Sequence, residues 1–152
     1  MKVLFGVDVG GTDIKLGAFD WKSQKLLKKW AIKTDLSNEG KQIIPDVAKE
    51  IQSYLCENTL SEADVYGIGM GIPGPVDKDG NVEVCVNLFW NNFNPAEEMR
   101  KFFPHAYIQA GNDANVAALG EFVQGAGRKY KTMMLITLGT GVGGGIILNG
   151  DI

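Results

Sequence analysis

Glycine falls in clusters here, each beside an apolar, strand-like run, and this pattern limits the fold more than any other feature. Gly10 and Gly11 follow the run from Lys2 to Asp8, and Gly67, Gly69 and Gly71 alternate with apolar residues, with Gly74 close behind. Gly139, Gly141, Gly143, Gly144, Gly145 and Gly150 all fall within the last fourteen residues. Glycines number 20 of 152 residues, roughly twice average usage. Glycine tolerates positive φ and lets a backbone approach a ligand closely. Glycine clusters at strand ends therefore predict backbone amides presented to a bound group.

The runs between the clusters give an order of elements. Residues 2–8 read as a strand buried on both faces. Residues 14–20 and 25–33 read as two more strands, joined by short turns into an antiparallel meander. Ile43, Ile44, Val47, Ala48, Ile51, Tyr54 and Leu55 share one helical face. Ser37 or Asn38 is the candidate cap of that helix, and Pro45 belongs in its first turn. Cys56 reads as core packing on its apolar side. Val65–Ile72 reads as a buried strand, Asp77-Lys78-Asp79-Gly80 as a hairpin turn and residues 82–86 as a short strand. A short helix over 95–103 and a strand over 106–110 follow. Asn112-Asp113 then caps a helix whose face is Val116, Ala117, Leu119, Phe122 and Val123, ended by Gly125-Ala126-Gly127. Strands at 132–138 and 145–149 close the chain. The order βββαβ(β)αβα predicts an α/β fold with a mixed sheet, its first three strands antiparallel, flanked by helices. An isolated hairpin is marginal in water, so the last pair needs a partner surface. The expectation is one lobe over residues 1–128, the first strands of a second over 129–152, and a truncated chain.

Composition excludes several classes. Lys and Arg number 15 and Asp and Glu 18, a formal charge of −3, which argues against a nucleic-acid surface. With 45% hydrophobic and 22% charged residues, the chain is globular rather than disordered. Two cysteines make neither a disulfide framework nor a zinc site. No apolar run approaches the roughly 20 residues of a membrane span, and the opening run, broken by Asp8, is no signal peptide. The expected setting is the cytoplasm. His105, the single histidine, follows Pro104 at a strand start and reads as a surface residue.

Two glycine turns carry the chemistry. Asp8-Val9-Gly10-Gly11-Thr12 and Gly139-Thr140-Gly141-Val142-Gly143-Gly144 each lie between two strands, and each joins glycine amides to a threonine hydroxyl. Successive backbone N–H groups form an anion nest. Either turn alone is most simply an ordinary hairpin turn; the pair, with Asp8, favours phosphate binding. Asp8 supplies a carboxylate where Mg²⁺, held through water, would neutralise phosphate charge. Gly139-x-Gly141-x-x-Gly144 also matches the dinucleotide fingerprint, but that fingerprint needs a following helix to hold the pyrophosphate, and Ile146-Ile147-Leu148 is strand-like. No P-loop sequence occurs. Asp113 enters a helix at a strand end, where a carboxylate can accept the proton of a sugar hydroxyl and Asn112 can hydrogen-bond the same hydroxyls. Local sequence alone favours Asp113 as a plain helix cap.

Five motifs appear in register: Asp8-x-Gly10-Gly11-Thr12; Gly69-Met70-Gly71-Ile72-Pro73-Gly74-Pro75-Val76; Asn87-Leu88-x-Trp90; Gly111-Asn112-Asp113-Ala114-Asn115 with Glu121; and Gly139-Thr140-Gly141-Val142-Gly143-Gly144-Gly145. Together they resemble the ROK family of bacterial sugar kinases and sugar-responsive repressors, in particular its glucokinase-like members. The resemblance implies the actin-like, ribonuclease-H-like ATPase fold, two lobes around a cleft. It implies ATP and Mg²⁺ as cofactors, with Asp8, Gly10, Gly11, Thr12 and Lys15 in the first phosphate loop and Gly139, Thr140, Gly141 and Gly143 in the second. It makes Asp113 the catalytic base, places Asn112, Gly74 and Asn87 on the sugar, and leaves Trp90 packed beneath its loop. The family's zinc-binding segment, further sugar ligands and adenosine-binding segment lie beyond these motifs, so zinc would belong to sequence after residue 152. Relatives of this kind are often dimers.

The function expected is therefore an ATP-dependent hexose kinase acting on a small-molecule sugar, the isolated piece being inactive. The alternative is a sugar-sensing transcriptional regulator of the same family without its DNA-binding segment. A plain actin-like nucleotide-binding domain is a third reading, which Asn112-Asp113 beside Gly71-Ile72-Pro73-Gly74 argues against.

Overall fold

In the computed structural model, which describes residues 1–139 and 141–152, the opening apolar runs form β1 (Val3–Val9), β2 (Asp13–Asp20) and β3 (Leu26–Lys33). Turns too short for a crossover force β1 against β2, and β2 against β3, into antiparallel pairs. After helix α1 (Ile43–Glu57) the chain returns as β4 (Val65–Ile72), parallel to β1. Strands β5 (Val82–Cys85) and β6 (Trp90–Phe93) form a separate hairpin. Helix α2 (Pro95–Arg100), with Pro95 at its start and the Asn94 side chain accepting from the Glu97 amide at 3.0 Å, leads to β7 (Tyr107–Asn112), parallel to β4. The main sheet runs β3-β2-β1-β4-β7, the mixed sheet expected from the sequence. Helix α3 (Asp113–Gln124) follows β7 with no loop, and β8 (Met133–Leu138) pairs antiparallel with β9 (Val142–Ile147).

One face of the sheet makes the core. Val3, Phe5, Val7 and Val9 of β1 are buried with Ile68, Met70 and Ile72 of β4 and the α1 stripe from Ile43 to Leu55. Phe5 meets Tyr54 edge-on, ring centres 5.5 Å apart. Burying each large side chain contributes about 1.5–3 kcal/mol, so this face supplies most of the driving force. The opposite face differs from the expectation of a doubly buried first strand. It carries Leu4, Gly6 and Asp8 of β1, and Asp8 is exposed. Register sets Gly6 beside Gly17 of β2 and Gly69 of β4, and the Phe19 ring lies over the first two, its Cε2 3.6 Å from where a Gly6 Cβ would stand and 2.9 Å from a Gly17 one.

Several local expectations are corrected. Neither Ser37 nor Asn38 caps α1: Gln42 stands at its N-cap, its side chain donating to Asp46 Oδ1 at 3.0 Å rather than accepting from a helix amide, and Ser37 instead precedes a short 3-10 turn over Asn38–Gly40. Cys56 is exposed, because it lies about 100° round the helix from Leu55 and outside the buried stripe. The Asp77–Gly80 turn forms, with the Asp77 carboxylate accepting from the Asp79 and Asn81 amides at 2.8 and 2.9 Å. It joins no paired strands, however, since β5 pairs with β6. The helix expected over 95–103 ends at Arg100. The last strand begins at Val142 rather than at residue 145, so Gly143, Gly144 and Gly145 are strand residues.

The α3 face is the largest correction. Val116, Leu119 and Val123 are exposed, and the buried residues are Ala114 and Ala118. A Cβ on Gly145 would lie 2.6 Å from Ala118 Cβ, and one on Gly143 3.2 Å from Ala114 Cβ. Small residues on both sides let α3 and β9 approach closely, so the helix buries its alanines and turns its larger apolar residues outward. Met134, Ile136 and Leu138 of β8 and Val142 and Ile146 of β9 remain exposed on the far side of this pair.

Candidate active site

The site begins where the parallel strands end. Register aligns Asp8 of β1 with Gly71 of β4, and Gly71 with Gly111 of β7. In open α/β sheets the crevice beyond the carboxyl ends of the strands is where ligands bind. Asp8 and Asp113 flank that crevice two strands apart, ~10 Å by strand spacing. Gly71 keeps the space between them clear: a Cβ there would lie 3.4 Å from Asp113 Cα.

The first glycine turn is tightly built. The Gly10 amide donates to the Asp13 carbonyl at 3.1 Å, and a Cβ on Gly10 would press that same oxygen at 2.7 Å, so the turn needs glycine. Thr34 clamps the turn from β3's end, its hydroxyl donating to the Gly10 carbonyl at 2.6 Å and its amide to the Thr12 carbonyl at 3.0 Å. Thr12 is exposed. Lys15 Nζ lies 3.1 Å from the Asp8 carboxylate, both groups more than half exposed. A Cβ on Gly11 would approach the Asn87 carbonyl to 3.3 Å, which brings the first turn beside the exposed Asn87.

Asn112 and Asp113 divide the roles that sequence left open. Asn112 is the helix cap: its side-chain oxygen accepts from the Asn115 amide at 3.1 Å. Its Nδ2 donates to the Gly74 carbonyl at 3.0 Å and to Asp113 Oδ1 at 3.1 Å. Asp113 is instead the first residue of α3, exposed, with the Ala114 amide also donating to Oδ1 at 2.8 Å. Among the described residues both bonds fall on Oδ1. The plain-cap reading of Asp113 is thus taken over by its neighbour.

Gly74 has φ +151°, a conformation that favours glycine, and its loop rests on β5, where Cys85 Sγ donates to the Pro73 carbonyl at 2.8 Å. Trp90 is buried in the core, as a packing residue would be, with its indole N–H on the Gly40 carbonyl at 3.0 Å. Sequence reasoning missed Cys85 and the Lys15–Asp8 contact, because neither lies in a local pattern.

The second glycine turn sits at the same end of α3 as Asp113, since Gly143 packs on Ala114. Gly139 and Gly141 have open space where a Cβ would be, and the Gly139 amide donates to the Gly141 carbonyl at 2.9 Å. Thr140 lies outside the described residues. Gly143 is fitted by packing as well, its Cβ position 2.6 Å from Thr137 Oγ1.

The donor set suits a nucleotide with a hard cation. Among the described residues no group of three or more His, Cys, Asp or Glu side chains could hold a metal. One exposed carboxylate, Asp8, near the end of β1 and beside the Gly10–Gly11 turn fits Mg²⁺, which keeps several waters and takes its other ligands from phosphate. Among the described residues no helix is long and apolar enough to cross a membrane.

The sheet order is that of the actin-like ATPase fold, and solved structures that share the fold include a ROK family glucokinase and a ROK family transcriptional regulator. The ROK family model matches residues 4–152, and the chain belongs to that family. It is 43% identical to a glucokinase of Halalkalibacterium halodurans over 97% of this chain and 44% of that protein. It is 33% identical to an N-acetyl-D-glucosamine kinase of Yersinia pseudotuberculosis over 97% of this chain and 47% of that one. The ROK family glucokinase from Streptomyces griseus, solved in complex with glucose and AMPPNP, superposes with TM-score 0.81 at 30% identity, over 97% of this chain and 45% of that one. The chain thus spans less than half the length of these relatives.

Proposed function

We propose that this chain supplies the acceptor-activating part of an ATP-dependent hexose kinase, with residues 1–128 as one lobe and 129–152 opening a second. The observation that carries this reading is Asp113: an exposed carboxylate at the start of α3, fixed through Oδ1 by Asn112 and Ala114, at the ends of the parallel strands and across from Asp8. The kinases to which the chain is similar support the same reading.

In this reading Asp113 takes the proton from a sugar hydroxyl, the 6-hydroxyl in glucokinase-like chemistry, as its oxygen attacks the γ-phosphorus. The new O–P bond forms, the bond from that phosphorus to the bridging oxygen breaks, and ADP leaves. Asn112, Gly74 and Asn87 border the sugar. The glycine turns at Gly10 and Gly11 and at Gly139, Gly141 and Gly143, with Thr12, Thr140 and Lys15, border the phosphate oxygens, the Gly10 and Gly139 amides closing their own turns. Magnesium held near Asp8 would supply charge neutralisation. Positioning and electrostatics carry most of such a transfer. A cytoplasmic setting and a homodimer belong to the same proposal.

The test is ADP release by the complete protein across glucose, mannose, fructose and their N-acetylamino relatives. Release with one hexose, lowered ~10²–10⁴-fold by Asp113→Asn at unchanged sugar affinity, supports the reading. Near-normal turnover by that variant rejects Asp113 as the base. Hexose binding without ADP release converts the protein into the sugar sensor of the same fold.

A further inference from the structure

We propose that Cys85 is a positioning residue for the sugar acceptor, anchoring to β5 the Gly74 loop that Asn112 joins to the start of α3. The inference deepens the kinase reading and rests on it. Cys85 is the last residue of β5 and is 2% exposed. Its thiol donates to the Pro73 carbonyl, and its Cβ and Sγ each lie 3.7 Å from where a Gly74 Cβ would stand. One residue on, the Gly74 carbonyl accepts from Asn112 Nδ2, and the same nitrogen donates to Asp113 Oδ1. A continuous path therefore runs from the thiol through two backbone carbonyls and one carboxamide to the proposed base.

Two features suit Cys85 to this task. Burial pushes the thiol's pKa up, against the pull of the Leu88 and Asn87 backbone amides, and the Asp113 carboxylate acts in the same direction as burial. The group stays protonated and remains a donor. Those amides also belong to the turn that carries Asn87, so one side chain stands between the two loops assigned to the sugar. Gly74 has no side chain to wedge its own loop in place, and its φ of +151° is one an L residue rarely adopts. The loop needs an outside anchor, and the Cys85 thiol provides one.

The test compares Cys85→Ala and Cys85→Ser in the complete protein, reading kcat, hexose KM, ATP KM and thermal midpoint. Alanine removes the donor; serine keeps a hydroxyl donor on the same stem. The proposal expects Cys85→Ala to lower kcat/KM for hexose about tenfold with ATP KM unchanged, and Cys85→Ser to recover most of it. A purely structural role would lower the midpoint and the active fraction while leaving both KM values alone, and that result overturns the proposal. So does an unchanged hexose kcat/KM, an equal rise in both KM values, or a serine variant as impaired as alanine. If the wild type phosphorylates no hexose, the kinase reading fails and sugar affinity by calorimetry decides. Weakening by alanine with recovery by serine keeps Cys85 as a positioning residue of a binding site. Unchanged affinity, or no sugar binding by the wild type, overturns it.

Discussion

Replacing Gly145 by alanine tests the close contact between α3 and β9. The added Cβ would lie 2.6 Å from Ala118 Cβ, 2.9 Å from the Ala114 carbonyl oxygen and 3.2 Å from Asn115 Cα. Carbon atoms rest at about 3.5–4.0 Å, so the shortfall at Ala118 is roughly 1 Å. None of the three atoms is the tip of a flexible side chain, and relief requires the helix itself to move. Overpacking of this kind costs about 1–3 kcal/mol. At a urea slope of about 2 kcal/mol/M, a loss of 2 kcal/mol lowers the unfolding midpoint by ~1 M. Ala118→Gly removes the nearest atom and costs about 1 kcal/mol of helix propensity by itself. In the complete protein the double variant should be more stable than the sum of the two losses by at least ~0.5 kcal/mol, the signature of a direct contact. The moving helix carries Asp113, and ~1 Å of misplacement can lower turnover ~10²-fold. Strict additivity, or Gly145→Ala with wild-type midpoint and turnover, would refute the reasoning.

Two further outcomes follow from single groups. Trp90→Phe leaves the Gly40 carbonyl without the indole donor and should cost about 1–3 kcal/mol, read as a lower urea midpoint. Asp77 is held below the ordinary carboxylate range by the Asn81 side chain first and the Asn81 amide second. Its folded pKa is depressed, so its contribution is complete above the unfolded value and is lost as pH falls through the folded one. Asp77→Ala should flatten the fall of stability on acidification below about pH 4 and leave the neutral-pH slope unchanged.

Period was legible wherever burial was decided by large side chains. The α1 stripe from Ile43 to Leu55 and the whole of β4 read directly from the sequence, because bulky apolar residues repeat at the helical and strand intervals. The α3 face did not, because hydrophobic size is a poor guide where a helix meets glycine. Ala114 and Ala118 matter only through Gly143 and Gly145, some thirty residues later, and no local window contains both partners. Strand β6, Trp90-Asn91-Asn92-Phe93, was hidden by its two asparagines. In the site, the residue types at Asp8, Asn112 and Asp113 were visible, but the division between cap and free carboxylate was not. That division depends on which side chain reaches the Asn115 amide. Cys85 had no sequence signal at all, since the role proposed for it rests on a carbonyl twelve residues earlier.

One carboxamide, that of Asn112, both starts α3 and props the Gly74 loop. Fraying of the first helical turn therefore releases the loop, and loosening of the loop withdraws a restraint from the helix. The two segments should open as one cooperative unit, with backbone amides expected to exchange with solvent at a shared rate although nearly forty residues of chain separate them.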